Sequence, residues 1–183
     1  TFKTGAENFE SYLPLLKDKR VGIVTNQTGI LSKEKHLVDF LIEQNINLQK
    51  IYAPEHGFRG TADAGELIVD GKDTKTNLPI ISLYGNNKKP KPEQLEGIDI
   101  LVFDLQDVGA RFYTYISSLH YVMEACAENN IPLLVLDRPN PNGTIIDGPI
   151  LEKEHKSFVG MHEIPVLHGM TIGEYAKMKK KKK

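Results

Sequence analysis

The stretch IYAPEHGFRG, residues 51–60, places a carboxylate (Glu55), an imidazole (His56) and a guanidinium (Arg59) within five positions, directly after an apolar run. Together such groups can donate a proton, tune the donor and pair with an anion. Comparable sets recur along the chain: Thr25 and Asn26 after RVGIVTN; Asp104, Gln106, Asp107 and Arg111 after IDILVFD; Asp137, Arg138 and Asn140 after IPLLVLD. The opposite ends of these runs carry Lys19, Lys50, Pro79 and Pro132, with Asp99 the one carboxylate close by. Groups with acid–base or hydrogen-bonding capacity are thus concentrated at the carboxyl ends.

The apolar runs must position them. Five have strand length, at 20–26, 48–53, 79–85, 98–104 and 131–137, and they are near-continuous rather than alternating, which suits strands buried on both faces of a parallel sheet. Between the first two, SKEKHLVDFLIEQN carries Leu37, Val38, Leu41 and Ile42 on one helical stripe. Between the last two, Tyr115, Ile116, Leu119, Val122, Met123 and Cys126 repeat at helical spacing and stop at Asn129 and Asn130. Pro92 opens a shorter turn that Gly97 ends. Strand and helix alternate, so the expected fold is an open, mostly parallel α/β sheet of Rossmann-like type, with helices on both faces. Ligands of such sheets bind in the crevice beyond the carboxyl ends of the strands.

Composition narrows the function. The 183 residues are 40% apolar and 26% charged, as in an ordinary globular domain, and no run of about eighteen apolar residues exists. Net charge is −1, and −6 without the five lysines at 179–183, so the body is acidic and no basic face for nucleic acid is expected. Cys126 lies on the apolar face of its helix and reads as a buried thiol. Gly60 and Gly65 approach a phosphate loop, but Glu66 stands where lysine is needed, and TNQTG lacks the dinucleotide glycine spacing. The six histidines show no ligand spacing, and no G-x-S-x-G elbow occurs, so neither metal nor organic cofactor is expected. Carboxylates, arginines and the aromatics Phe58, Tyr84, Phe112, Tyr113 and Tyr115 remain. That set fits cleavage of a glycoside, which needs a protonated acid at the leaving oxygen and a second group at the sugar. Asn140 and Asn142 in DRPNPNG read equally as turn residues, and Asp107 and Asp137 as caps or ion-pair partners.

The stretches VGIVTNQTG, IYAPEHGFRGTADAGE, DILVFDLQDVGARFYTYISS, LLVLDRPNPNG and HGMTIGEYA resemble, in order and over nearly the whole chain, the amino-terminal Rossmann-like domain of the bacterial exo-β-N-acetylmuramidases. The resemblance implies an extracytoplasmic hydrolase of cell-wall turnover that removes terminal N-acetylmuramic acid from non-reducing ends of peptidoglycan fragments. It also implies a domain spanning 1–178 and a further carboxy-terminal domain that closes the cleft; the lysine tail at 179–183 departs from the family's pattern. Thr171 and Glu174 form a capping-box pattern there, opening a helix that runs at once into lysines. By the same resemblance Glu55 is the general acid and His56 orients it. Asp104, Asp107 or the acetamido group of the substrate supplies the second catalytic function. Arg59, Arg111 and Arg138 are candidate partners of the lactyl carboxylate, and Asn26, Gln106, Tyr113, Tyr115 and Asn140 complete the expected substrate-contacting set. A non-catalytic module holding a muropeptide or another anionic sugar is the alternative from a different class, and a nucleotide-binding domain a third.

Overall fold

All five apolar runs become strands in this computed structural model, which describes residues 3–55, 57, 58 and 71–180. In chain order the main sheet contains β1 (Val21–Thr25), β2 (Leu48–Ala53), β3 (Gly71–Lys72), β4 (Pro79–Ser82), β5 (Ile100–Asp104) and β6 (Leu133–Val135). Their spatial order is β3-β4-β2-β1-β5-β6. Pairing is parallel throughout except for the short β3, which runs antiparallel to β4. The chain builds outward from β1 through β2 to β4, then returns to the other side of β1 for β5 and β6. A reversal of this kind, between the loops after β1 and β5, is where open α/β sheets form their ligand crevice. The register Thr25↔Asp104 puts the ends of both strands level at that point.

Among the described residues five helices cover the sheet: α1 (Phe9–Leu16), α2 (Leu37–Glu43), α3 (Pro92–Leu95), α4 (Tyr115–Glu128) and α5 (Ile172–Lys180). The pleat sends Val21, Ile23, Ile51 and Val102 to one face, against Tyr12 and Leu16 of α1 and Leu37, Val38 and Leu41 of α2. Val24, Tyr52, Leu101 and Phe103 go to the other, against Leu95, Ile116, Leu119, Val122 and Tyr175. In α4, Tyr115, Ile116 and Val122 are mediocre helix formers, each costing up to about 0.7 kcal/mol against alanine. Burying each offsets that by roughly 1.5–3 kcal/mol, so the helix forms through packing. Cys126 is buried there, and burial pushes its thiol up to about 12.

Two segments depart from the sequence pattern. The stripe over SKEKHLVDFLIEQN begins its α-helix only at Leu37, after a 3-10 turn at Ser32–Glu34, because His36 caps it: Nδ1 accepts from Val38 N (3.1 Å). Residues 139–168, which carry no helical or strand period, form a long excursion closed by the antiparallel pair β7 (Ile146–Asp147) and β8 (Leu167–His168). Arg111 fastens this excursion, donating from Nη1 to Pro149 O (2.7 Å) and Ile164 O (2.6 Å), and from its backbone N to Val166 O (2.7 Å).

The capping box at α5 forms, with Thr171 N donating to Glu174 Oε2 (2.9 Å) and Glu174 N to Thr171 Oγ1 (3.2 Å). A second cap comes from far along the chain. Asp137, just past β6, accepts from Thr171 Oγ1 (2.6 Å) and from Gly173 N (2.8 Å), so its carboxylate sits on the amino end of α5. Asp137→Ala is expected to lower stability by about 1–2 kcal/mol, which at this length is about 2–4 °C of melting temperature per kcal/mol. A scan by circular dichroism checks it; an unchanged midpoint would show that the box alone secures the helix. Among the described residues no helix is long and apolar enough to cross a membrane.

Candidate active site

The carboxyl end of β2 turns sharply: Gly57, at φ +75°, donates its backbone N–H to Pro54 O (3.1 Å), and Glu55 is delivered half-buried in between. Its carboxylate meets two hydroxyls. Thr114 Oγ1 donates to Glu55 Oε2 (3.0 Å). Tyr84, just past β4, is raised above the ordinary phenol range by burial first, then by the negative charge of Glu55 and a hydrogen bond with it. Thr114 is the residue from which α4 starts, yet its hydroxyl makes no cap bond to the helix. A threonine there ordinarily satisfies a free helical N–H, worth about 1 kcal/mol; here the hydroxyl is turned to Glu55 instead. Local helix stability is forgone where a carboxyl group is being oriented, a pattern expected of functional positions.

Beneath this cluster lies a buried polar floor. Asn26, fully buried after β1, donates from Nδ2 to the Tyr115 hydroxyl (2.7 Å) and accepts through Oδ1 from Thr28 N (2.8 Å) and Oγ1 (2.6 Å). Tyr115, the first residue of α4, is pushed above the ordinary phenol range by burial first and then by Tyr113, whose ring stands edge-on at 5.0 Å. His36 Nε2–H donates to Asn26 O (2.7 Å), so one imidazole both caps α2 and fixes the loop after β1. Gln106 ties the loops together, its Nε2 bonding Asp107 O (2.8 Å) and Pro139 O (2.7 Å) and its backbone N bonding Thr28 Oγ1 (3.0 Å). Asn140 lies in the next loop as a turn residue: Oδ1 accepts from Asn142 N (2.7 Å) and Nδ2 bonds Met170 O (2.9 Å).

Asp104 and Arg138 pair with each other. Asp104 is fully buried, and both its oxygens accept from Arg138, from Nε at 2.6 Å and Nη2 at 3.0 Å, while Nη2 also reaches Ile30 O (3.2 Å). Burial raises the Asp104 carboxyl above its ordinary value, and Arg138 and then His36 pull it down. This bidentate pair bridges the ends of β5 and β6 from inside and carries the geometry of a fold-holding contact. Asp107 is also buried and faces His168 of β8.

The structure therefore brings together Glu55, Tyr113, Tyr115 and Asn26 around Thr114, and separately Asp104 with Arg138. Arg111, Gln106 and Asn140 bond the backbone of neighbouring loops. His56 and Arg59 lie outside the described residues. Of the aromatics, Phe58 is buried against His36 (rings 5.0 Å apart), whereas Phe112 is exposed on the loop that leads to Thr114. Thr114 and His168 were not picked out by sequence reasoning. A threonine just before a helical stripe signals a cap, but no spacing signals that it reaches residue 55. Glu152, Glu154 and His155 bring ligand atoms within 4.8 Å of one another, all exposed on a 3-10 turn of the excursion.

Residues 21–183 match the family described as exo-β-N-acetylmuramidase NamZ, amino-terminal. The chain is 54% identical over 169 residues to the peptidoglycan β-N-acetylmuramidase NamZ of Bacillus subtilis (strain 168), a match covering 91% of this chain and 41% of that protein. Two crystal structures of DUF1343 family proteins from Bacteroides fragilis NCTC 9343 superimpose with TM-scores of 0.87 and 0.89, at 47% and 46% identity. Each covers 98% of this chain, which in turn spans 47% and 46% of theirs. The chain spans less than half the length of these relatives.

Proposed function

This chain belongs to the exo-β-N-acetylmuramidase NamZ family, in its amino-terminal part, and from that premise we propose that it forms the acid-bearing half of a hydrolase. The enzyme removes terminal N-acetylmuramic acid from the non-reducing ends of peptidoglycan fragments outside the cytoplasm, with Glu55 as general acid. The observation that carries this reading is the diversion of the Thr114 hydroxyl from its helix to Glu55. Thr114 and Tyr84, on two different elements, hold the carboxyl group in one orientation at the rim of the crevice, as directional proton transfer requires.

In the reaction Glu55 gives its proton to the glycosidic oxygen as the bond to the anomeric carbon breaks, and the bonding pair stays on the departing oxygen. Water supplies the hydroxyl that ends on the anomeric carbon, and its other proton passes to a carboxylate of the site, so that the protein ends the cycle with the proton Glu55 gave up. Arg59, Arg111 and Arg138 are the three candidates for the guanidinium that faces the lactyl carboxylate. Arg138 is occupied by Asp104 and Arg111 donates to two carbonyls, which favours Arg59 for that contact.

Incubating the full-length protein with a chromogenic N-acetylmuramic acid glycoside tests the reading. Release of the chromophore and of free N-acetylmuramic acid is expected. Binding of the sugar by calorimetry without release would instead establish a non-catalytic muropeptide module.

A further inference from the structure

Asp107 and His168 come from distant parts of the chain and meet because β8 packs on the loop after β5. Ala110 bridges Leu167, and His168 N donates to Gly109 O (3.4 Å). Each residue is only 4% exposed. Asp107 Oδ2 accepts from Gly109 N (2.9 Å) and faces His168 Nε2 at 3.5 Å. His168 Nδ1 accepts from Met170 N (3.3 Å), so the neutral ring carries its proton on Nε2, on the side of the carboxylate. That leaves Asp107 Oδ1 and His168 Nε2 as buried polar atoms without a hydrogen-bond partner among the described residues.

A buried acceptor left unpaired forfeits its hydration without recompense, more so when charged, so such an atom calls for an explanation. Asp104, the other carboxylate considered for the second function, has both oxygens taken by Arg138. Of these two, Asp107 alone keeps an acceptor atom. It stands on the same loop as Thr114, the partner of Glu55.

We propose that Asp107 is the second functional carboxylate of the crevice, its Oδ1 accepting one polar hydrogen from the reacting system, and that His168 is the positioning residue that aims it. This rests on the glycosidase reading above. Because both atoms are buried, the group they take is small: the O–H of a water molecule, or a single N–H or O–H projecting from the sugar. A carboxylate acceptor beside an imidazole N–H donor is complementary to a group that both gives and receives a hydrogen bond.

The test uses the full-length enzyme, the chromogenic N-acetylmuramic acid glycoside, and calorimetry with N-acetylmuramic acid. Asp107→Asn is expected to lower kcat about 100-fold or more while the melting temperature stays close to wild type. His168→Leu is expected to lower kcat with little change in KM. His168→Gln, whose amide N–H can stand where Nε2–H stood, recovers most of that loss, which a purely structural role would not give. If Asp107→Asn also weakens sugar binding about tenfold, the hydrogen is the sugar's; if kcat alone falls, it is the water's. Wild-type kcat in Asp107→Asn, or a loss that only tracks the unfolded fraction, overturns the proposal. Should the wild-type enzyme show no turnover, the glycosidase reading fails by itself. The assignment of Asp107 then stands or falls on whether Asp107→Asn weakens binding of the sugar.

Discussion

Glu55→Gln in the full-length enzyme is expected to reduce kcat by about 100- to 10,000-fold, the range general acid catalysis contributes, with KM within a few-fold of wild type. Glutamine keeps the side-chain length and an oxygen that can accept from the Thr114 hydroxyl, so the ground-state arrangement survives. What it lacks is a transferable proton, and the leaving sugar oxygen must then depart as an alkoxide or take its proton from water. A loss confined to kcat is the mark of an interaction made only in the transition state. Glu55 is only half-buried, so the substitution leaves no buried charge without a partner, and thermal unfolding should be unchanged within a few degrees. Equal turnover by wild type and Glu55→Gln on the chromogenic glycoside would remove Glu55 from the reaction.

Arg138→Met should act on stability rather than on chemistry. Asp104 is fully buried, and Arg138 supplies two of its hydrogen bonds and the opposite charge. Taking away the guanidinium strands a carboxylate where water cannot reach it, which costs about 3–5 kcal/mol, a large share of the 5–15 kcal/mol that holds a typical domain together. Substituting both partners removes the charge along with its counter-ion. Asp104→Leu/Arg138→Met is therefore expected to recover most of the loss, giving a strongly non-additive double-mutant cycle in denaturant unfolding. Below its transition the Arg138→Met enzyme should bind substrate with a near wild-type KM. A raised KM at unchanged stability would return Arg138 to the substrate-contacting set expected from sequence.

Both substitutions bear on how much the sequence disclosed. The near-continuous apolar runs announced five parallel strands, because a strand covered by helices on both faces is predominantly apolar rather than alternating. Tyr115, Leu119 and Val122 announced α4 by their spacing, and Thr171 with Glu174 announced the start of α5. The helix α1 gave no such signal, since Pro14 interrupts its pattern; Tyr12 and Leu16 hold it by packing on the sheet. The excursion at 139–168 was equally illegible, because it is fastened by hydrogen bonds to residues 109–111 and by scattered side-chain contacts, which leave no periodic trace.

For the crevice, the sequence by itself determined the inventory: which acids, amides and arginines arrive at the carboxyl ends of the strands, since alternation of strand and helix fixes that edge. Only the tertiary structure decided what each does. Asp104, Asp107 and Asp137 look alike in sequence, each next to the end of an apolar run. One is matched to Arg138, one faces His168 with an oxygen to spare, and one caps α5. The reason is that a carboxylate takes its role from the groups that packing brings against it, and Arg138, His168, Thr171 and Gly173 lie 34 to 61 residues farther along the chain than the carboxylates they meet, a separation over which local patterns carry no information.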